Sequence, residues 1–352
     1  MSPWLKISGF LLFPFVAFMT GIVYLRNKFF DWHWLPKCEP SVPVISVGNV
    51  QIGGTGKTPM VEYLVRNMEN RGYHPAILTR GYGRKEKGQV VIYNKNRANI
   101  VPEQVGDEPF LLSKNLPQTT IIVDSNRCRG AKFLRDNLSE NLLILDDGFQ
   151  HRKIDRNIDI VMVDVLRWSN CPLLFPITCN RDLPGSLKRA DVILLTRTDI
   201  EPLQTDKVKE HLMRVYRKPV LQVEIALHHL ISSGKSRRIS LGSLQSEKIF
   251  AFCGLGHPAQ FFNLLEKSGL SVNRKWEFPD HHNYKVSEIR KIVAEAESKG
   301  VKYIVTSQKD HVKLLSMEPV IRNRVWYTEI DLQVKNSELF MNLIEKRIGT
   351  VV

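Results

Sequence analysis

The sequence predicts an α/β fold: a P-loop NTPase-like, mostly parallel sheet with helices on both faces, plus a smaller second α/β domain and an N-terminal membrane-anchor helix. Three observations carry this. A glycine-rich turn, Gly53-Gly54-Thr55-Gly56-Lys57-Thr58, joins an apolar, β-branched run to a helical pattern. Short apolar runs then alternate with helical periodicity to about residue 216 and resume beyond residue 247. Near the N-terminus lies a long stretch without charge.

That stretch runs from Ile7 to Leu25, with Trp4 and Lys6 before it and Arg26 and Lys28 after it. As a helix it would be about 28 Å long, enough to cross a bilayer core. A cleaved signal peptide would require a small-x-small site, which does not follow. A buried core helix is the other alternative, and aromatic residues on all sides oppose it. Pro14 and Gly21 would bend or weaken a spanning helix, so residues 1–30 are expected to anchor the chain by crossing the bilayer or by lying in its interface. Arg26, Lys28 and Lys37 then put the body on the cytoplasmic side.

Residues 31–226 form the expected P-loop domain. Val44–Val47 is the strand that enters the glycine turn, and Met60, Tyr63, Leu64 and Met68 mark the helix that leaves it. Backbone N–H groups of Gly53, Gly54, Thr55 and Gly56 would converge on a phosphate; Lys57 adds charge for the β/γ-phosphates and Thr58 a hydroxyl for Mg²⁺. A turn that only packs a helix against a strand has no need of Gly-Lys-Thr. The pattern G-x-x-x-x-G-K-[ST] wants glycine where this chain has Gln51, which marks an unusual branch of the class. Further strands are expected at 76–78, 120–123, 142–145, 158–163 and 192–195, with a β-ribbon at 88–94 after Arg80-Gly81-Tyr82-Gly83-Arg84. Lys218-Pro219 opens another strand, 220–226. The polar stretch 227–247 reads as a hairpin or linker into the second domain, 227–352, with strands at 249–253, 303–306 and 325–327 and helices at 259–267, 287–298 and 338–348.

A hydrophobic fraction of 43% excludes extended disorder, and a net charge of +14 calls for an acidic partner: nucleic acid, an anionic membrane or a phosphorylated substrate. A solvated basic surface is the plain alternative. Five scattered cysteines without a C-x-x-C pair predict neither a zinc site nor a disulfide framework and fit a reducing compartment.

Candidate chemistry gathers at the ends of strands. Asp146 and Asp147 follow an apolar strand on the P-loop sheet, where a carboxylate would hold Mg²⁺; alone they could equally form a turn or a cap. Gly106-Asp107-Glu108-Pro109 opens a helix whose acidic first turn complements the dipole. Phe278-Pro279-Asp280-His281-His282-Asn283-Tyr284 places two histidines in a loop before a helix, for metal binding, proton transfer or capping. Arg80, Arg84, Arg127, Arg129, Arg152 and Arg181 fall at strand ends or the loops after them, where open α/β sheets bind ligands. Thr196-Arg197-Thr198-Asp199 faintly resembles the guanine-reading element of GTPases, with Arg in place of Lys.

Seven motifs in register make the resemblance specific. Gly48-Asn49 with Gly53 to Pro59, then Arg80-Gly81-Tyr82-Gly83, Gly106-Asp107-Glu108-Pro109, Asp146-Asp147-Gly148-Phe149-Gln150-His151, Phe252-Cys253-Gly254 with Phe261-Phe262, Asp280-His281-His282-Asn283-Tyr284 and Lys309-Asp310 occur in the order found in the tetraacyldisaccharide 4′-kinase family. The chain resembles that family from its N-terminal segment to about residue 315. The resemblance implies transfer of the ATP γ-phosphate to the 4′-hydroxyl of a tetraacyl disaccharide 1-phosphate in lipid A synthesis, at the cytoplasmic face of a bacterial inner membrane. It implies ATP and Mg²⁺ as cofactors and a glycolipid and a membrane surface as partners. Position by position it makes Asp107 the base, with His281 paired to it, and Lys57 and Thr58 the phosphate and Mg²⁺ residues. Glu108, Asp146 and Asp147 would join the metal environment and Arg127 would meet phosphate. Asn180-Arg181-Asp182-Leu183-Pro184 and Ser307-Gln308-Lys309-Asp310 depart from the family's Leu-Arg-Glu-Pro and Thr-Glu-Lys-Asp patterns. Two other readings are a membrane-bound P-loop GTPase/ATPase switch, resting on 196–199, and a nucleic-acid-dependent ATPase, resting on charge. No basic run interleaved with aromatics supports a nucleic-acid partner.

Overall fold

The computed structural model describes residues 3–93, 96–233 and 237–349, with side chains from residue 12 onward apart from residue 98. The chain opens with α1 (Pro3–Asp31), then β1 (Val44–Asn49), α2 (Lys57–Glu69), β2 (Pro75–Thr79) and β3 (Val90–Ile92). Next come α3 (Pro102–Val105), α4 (Asp107–Asn115), β4 (Thr120–Val123), α5 (Arg127–Asn137), β5 (Leu142–Asp146), β6 (Ile158–Asp164), β7 (Val192–Thr196) and α6 (Pro202–Tyr216). The second half holds β8 (Val220–Ser232), β9 (Arg238–Ser240), β10 (Lys248–Cys253), α7 (Pro258–Lys267), β11 (Ser271–Glu277), α8 (Val286–Ser298) and β12 (Tyr303–Thr306). It ends with α9 (Gln308–Leu314), α10 (Pro319–Arg322), β13 (Val325–Val334) and α11 (Ser337–Ile348).

Among the described residues the strands form one sheet in the order β11-β10-β12-β13-β8-β7-β6-β1-β5-β2-β4-β3, with β9 on β8. Pairing is parallel except at β3/β4, β8/β13 and β8/β9, so the mostly parallel α/β sheet is as the sequence predicts. The strand period of two sorts the core onto two faces. In β5, Leu142 and Ile144 pack with Met60 and Leu64 of α2 and Phe110 and Leu112 of α4. Leu143 and Leu145 point the other way, onto Ala131 and Leu134 of α5. Both faces are covered, which is why the strand is one continuous apolar run. β8 is the spine: its start pairs with β7, its remainder with β13, and the expected boundary after residue 226 falls inside it. Phe340 and Ile344 of α11 return to the core beside α2.

Gly48, near the end of β1, shows how tightly the loop region is built. A Cβ there would lie 2.4 Å from the Phe149 Cβ and 2.8 Å from its backbone nitrogen. Gly48→Ala is therefore expected to cost about 1–3 kcal/mol through overpacking. Denaturant unfolding would check it; an unchanged midpoint would show that the Phe149 segment moves freely.

The cysteine expectation requires a correction. Cys38 and Cys128, 90 residues apart, are joined by a disulfide. Both lie against the same segment: the Cys38 N–H donates to the Lys153 carbonyl at 2.7 Å, and the Cys128 sulfur sits 3.5 Å from the same oxygen. Linear spacing cannot reveal this, because the parallel sheet brings together the segment after α1 and the start of α5. A crosslink closing so long a loop is worth about 2–4 kcal/mol. Thiol reduction is expected to lower the melting temperature of the wild type and leave that of Cys38→Ser unchanged, as read by calorimetry with and without reductant.

α1 is helical as expected, and Phe13, Phe15, Phe18, Tyr24 and Leu25 are exposed on it. Among the described residues no helix is long and apolar enough to cross a membrane. The last two turns pack on the protein body: Asn27 and Phe30 are buried.

Candidate active site

The glycine loop leaves β1 and enters α2, with Gly53 and Gly56 both at positive φ (92° and 84°), a backbone region that favours glycine. Gly56 caps α2 in the left-handed conformation, so the N–H groups of the first helical turn are free to face an anion. Gln51, the departure from the loop pattern, has a structural role. Its amide donates to the Asp164 carbonyl (3.0 Å) and accepts from the Asp164 N–H (2.8 Å), stapling the loop entrance to β6. The Asn49 amide donates to the Thr55 hydroxyl at 2.8 Å. Arg167 and Arg197 hold the carbonyls of Ile52 and Gly54 at 2.9 and 2.8 Å, directing the loop's N–H groups elsewhere.

Lys57 begins α2 and is largely covered, with 17% of its side chain exposed; its Nζ lies 3.5 Å from the Asp147 carboxylate. Burial lowers its proton affinity, and Asp147 opposes that. Asp147 also receives both guanidinium nitrogens of Arg181. Burial would raise its carboxyl, but the Arg181 hydrogen bonds and the Lys57 charge outweigh burial and hold it well below the usual range. Asp146 ends β5, nearly buried, and accepts from the Thr79 hydroxyl at 2.8 Å. Burial first, then the neighbouring Asp147 charge, push its carboxyl up. Two adjacent carboxylates with a hydroxyl at Thr58 form a hard oxygen donor set, and the like-charge strain on Asp146 is the kind a divalent cation relieves. The oxygen donors of Asp146, Asp147 and Thr58 therefore fit a hard divalent cation such as Mg²⁺. Among the described residues there is no ready-made group of three or more His, Cys, Asp or Glu side chains for a metal.

Arg127 is buried, and its guanidinium donates to the carbonyls of Asp124 (2.8 Å) and Asp146 (2.9 Å), bracing the end of β5. Burial brings its proton affinity down to about 10.

The other side of the site joins the start of α4 to the second half of the chain. The Asp107 carboxylate, in the first turn of α4, lies 3.6 Å from His281 Nδ1. His281 stands at positive φ (58°), its N–H donating to the Gly254 carbonyl at 3.2 Å. A Cβ at Gly254 would meet the Pro279 carbonyl and the Tyr284 hydroxyl, both at 3.0 Å, so the Phe252-Cys253-Gly254 motif is the seat of the histidine loop. The Gly254 N–H in turn donates to Asp310 (3.1 Å), a buried carboxylate at the start of α9. Lys309, one residue earlier, pairs with Glu108 at 2.9 Å and reaches His281 Nε2 at 3.3 Å. An ammonium can only donate, so Nε2 accepts and Nδ1 carries the proton that faces Asp107. Burial pulls the Asp107 carboxyl up, but His281 and then Lys313 and Lys309 more than offset it and hold it below its ordinary value. His282 turns away: it stacks on Phe278 and meets Glu288 at 3.0 Å, at the start of α8.

Compared with known proteins, residues 8–349 match the model of the tetraacyldisaccharide-1-P 4′-kinase family. The chain belongs to that family. It is 36% identical to a tetraacyldisaccharide 4′-kinase of Syntrophus aciditrophicus, over 95% of this chain and 91% of that one. A second, from Pelodictyon phaeoclathratiforme, is 31% identical over 96% and 98%. The crystal structure of LpxK from Aquifex aeolicus in complex with ATP matches with a TM-score of 0.77 and 29% identity, over 96% of this chain and 98% of that one.

Against this kinase family, the sequence-derived candidates sort by place. Lys57, in the glycine loop that runs from Gly53 to Thr58, meets Asp147, next to Asp146, and Asp107 meets His281 in a second pair. Glu108, expected in the metal environment, is paired with Lys309. Lys309, Lys313 and Thr79 also meet these carboxylates, and of the three Lys309 alone lies in a motif visible in the sequence.

Proposed function

We propose that the chain is an ATP-dependent kinase that transfers the γ-phosphate to the 4′-hydroxyl of a tetraacyl disaccharide 1-phosphate, a step of lipid A biosynthesis. The observation that carries it is the Asp107–His281 pair at 3.6 Å, which adds a proton acceptor to a phosphate-binding loop on the same sheet. A nucleotide switch has no use for such a pair, and the names of the relatives do not favour the GTPase reading.

The loop N–H groups and Lys57 hold the triphosphate, with Lys57 turning from Asp147 to the transferring phosphoryl group. Asp146, Asp147 and Thr58 are the residues that would hold Mg²⁺, which when bound would supply neutralisation of charge on the phosphates. Asp107 is ionised at neutral pH and accepts the 4′-hydroxyl proton as the new P–O bond forms, while the Nδ1–H of His281 orients it. Arg127 supports this arrangement by holding the end of β5.

The exposed aromatic face of α1, the Trp32 and Trp34 rings at its end and the net charge of +14 support a helix that lies at or in the cytoplasmic face of the bacterial inner membrane, where the lipid acceptor resides. The direct test incubates the protein with [γ-³²P]ATP, Mg²⁺ and tetraacyl disaccharide 1-phosphate in detergent micelles. Label in the lipid at the 4′ position is the expected result. Label released only as inorganic phosphate overturns the reading.

A further inference from the structure

A buried polar chain runs from α1 to the phosphate-binding loop. The Asn27 amide donates to Asp182 Oδ1 (3.0 Å) and to the Ser186 hydroxyl (3.2 Å). The Ser186 hydroxyl donates to the same carboxylate oxygen at 2.8 Å. Asp182 is fully buried, Asn27 8% and Ser186 7% exposed. On the far side of Asp182, Oδ2 accepts from the Gln150 amide at 3.4 Å, and that amide also donates to the Asn49 carbonyl at 2.8 Å. Asn49 in turn holds the Thr55 hydroxyl of the loop. The backbone follows the same course: the N–H groups of Arg181 and Asp182 both donate to the Val50 carbonyl, at 2.9 and 3.2 Å. Arg181 grips Asp147, which holds Lys57. α1 is fastened from the other side as well. Arg152 donates to the Asn27 carbonyl at 2.7 Å and to Asp31 at 2.8 Å, with its guanidinium 5.0 Å from the centre of the Phe30 ring.

We infer that α1 is a working part of the catalytic site as well as a membrane element, and that Asp182, seated by Asn27, is a positioning residue for the phosphate-binding loop and Arg181. A buried carboxylate must have its donors, because leaving one lone pair unmet in a low-dielectric interior costs the full desolvation of that site. Removing the Asn27 donor therefore shifts Asp182 toward its remaining partners, Gln150, Ser186, the Leu183 N–H and Arg189, and each shift moves the backbone at 180–182 or at Asn49. A tether acting only through lipid would not need a buried asparagine joined to the loop through Asp182, Gln150 and Asn49. It would also place its burial on apolar side chains alone.

The inference rests on the kinase reading, and its test separates the two. Full-length wild type, Asn27→Ala, Asp182→Asn and Phe18→Ser are compared on the lipid acceptor in micelles and on the same disaccharide 1-phosphate with its acyl chains removed. Retention on phosphatidylethanolamine/phosphatidylglycerol vesicles is measured in parallel. Asn27→Ala and Asp182→Asn are expected to lower kcat about 10- to 100-fold on both acceptors, as supporting residues around reactive groups do. Their KM for the acceptor and their vesicle retention stay as in the wild type. Phe18, 67% exposed on α1, touches none of this network, so Phe18→Ser is expected to weaken retention and leave turnover of the soluble acceptor intact. Wild-type turnover of the soluble acceptor by Asn27→Ala overturns the inference, since α1 would then act by delivery alone. Should Asp182→Asn fail to fold, Asn27→Ala, which removes a single donor, decides the matter. If the wild type labels neither acceptor, the kinase reading fails by itself. The positioning role is then read from a fluorescent ATP analogue, bound about 10-fold more weakly by Asn27→Ala if it holds and equally if it does not.

Discussion

Lys57→Ala is expected to lower single-turnover phosphoryl transfer by about 10³-fold or more, the scale at which a positioned cation acts on a transferring phosphoryl group. The fold should survive. Among the described residues Lys57 pairs with Asp147, and Arg181 occupies both oxygens of that carboxylate independently. Burial already disfavours the lysine charge, so removing the ammonium relieves a desolvation cost while losing one contact at 3.5 Å. The melting temperature is therefore expected to stay within a few degrees of the wild type, with turnover the casualty. Lys57→Arg should not rescue, because a planar guanidinium cannot replace a compact ammonium at the start of α2. Rapid-quench transfer from [γ-³²P]ATP checks the rate, and calorimetry checks the fold. A variant with a wild-type rate would move the phosphate-binding role away from this loop.

Local chemistry made much of this site legible. The buried parallel strands announce themselves as continuous apolar runs because both their faces are covered, and Leu142–Asp146 ends in acid where the sheet meets ligand. The glycine loop is readable because its positive φ angles call for glycine and its helix N-terminus calls for Lys-Thr. What stayed hidden depended on distant contacts. β11, Ser271–Glu277, pairs with β10 at the sheet edge and is mostly exposed, so its polar sequence carries no burial signal. Gln51 departs from the loop pattern for a reason that lies in the fold, the pairing of its amide with the Asp164 backbone. The Cys38–Cys128 pair and the Asn27–Asp182 contact join segments whose neighbourhood exists only in the folded sheet. Asp107 and His281 are a middle case. No spacing rule links them, and the family resemblance paired them before the geometry did.

That pair gives the second large effect. Asp107→Ala and His281→Ala are each expected to lower kcat by about 10²- to 10⁴-fold, the usual range for general-base catalysis, with a smaller effect on ATP binding. A sugar hydroxyl is a poor nucleophile at neutral pH, and Asp107 is the carboxylate placed to take its proton. The carboxylate also lies 3.9 Å from Lys313, so the histidine does not hold it alone. His281→Ala should therefore do less harm than Asp107→Ala, and the remaining Lys313 contact keeps the carboxylate ionised but less well aimed. Because the histidine works through the carboxylate, the double variant should be little worse than Asp107→Ala alone. His282→Ala is the control with the opposite signature. Its ring stacks on Phe278 and meets Glu288, so its loss should lower stability more than kcat. Steady-state kinetics of the four variants beside thermal unfolding would read all of this at once. Fully multiplicative losses would give Asp107 and His281 independent roles. A near-normal His281→Ala beside a crippled His282→Ala would mean that the histidine loop turns over when the acceptor binds.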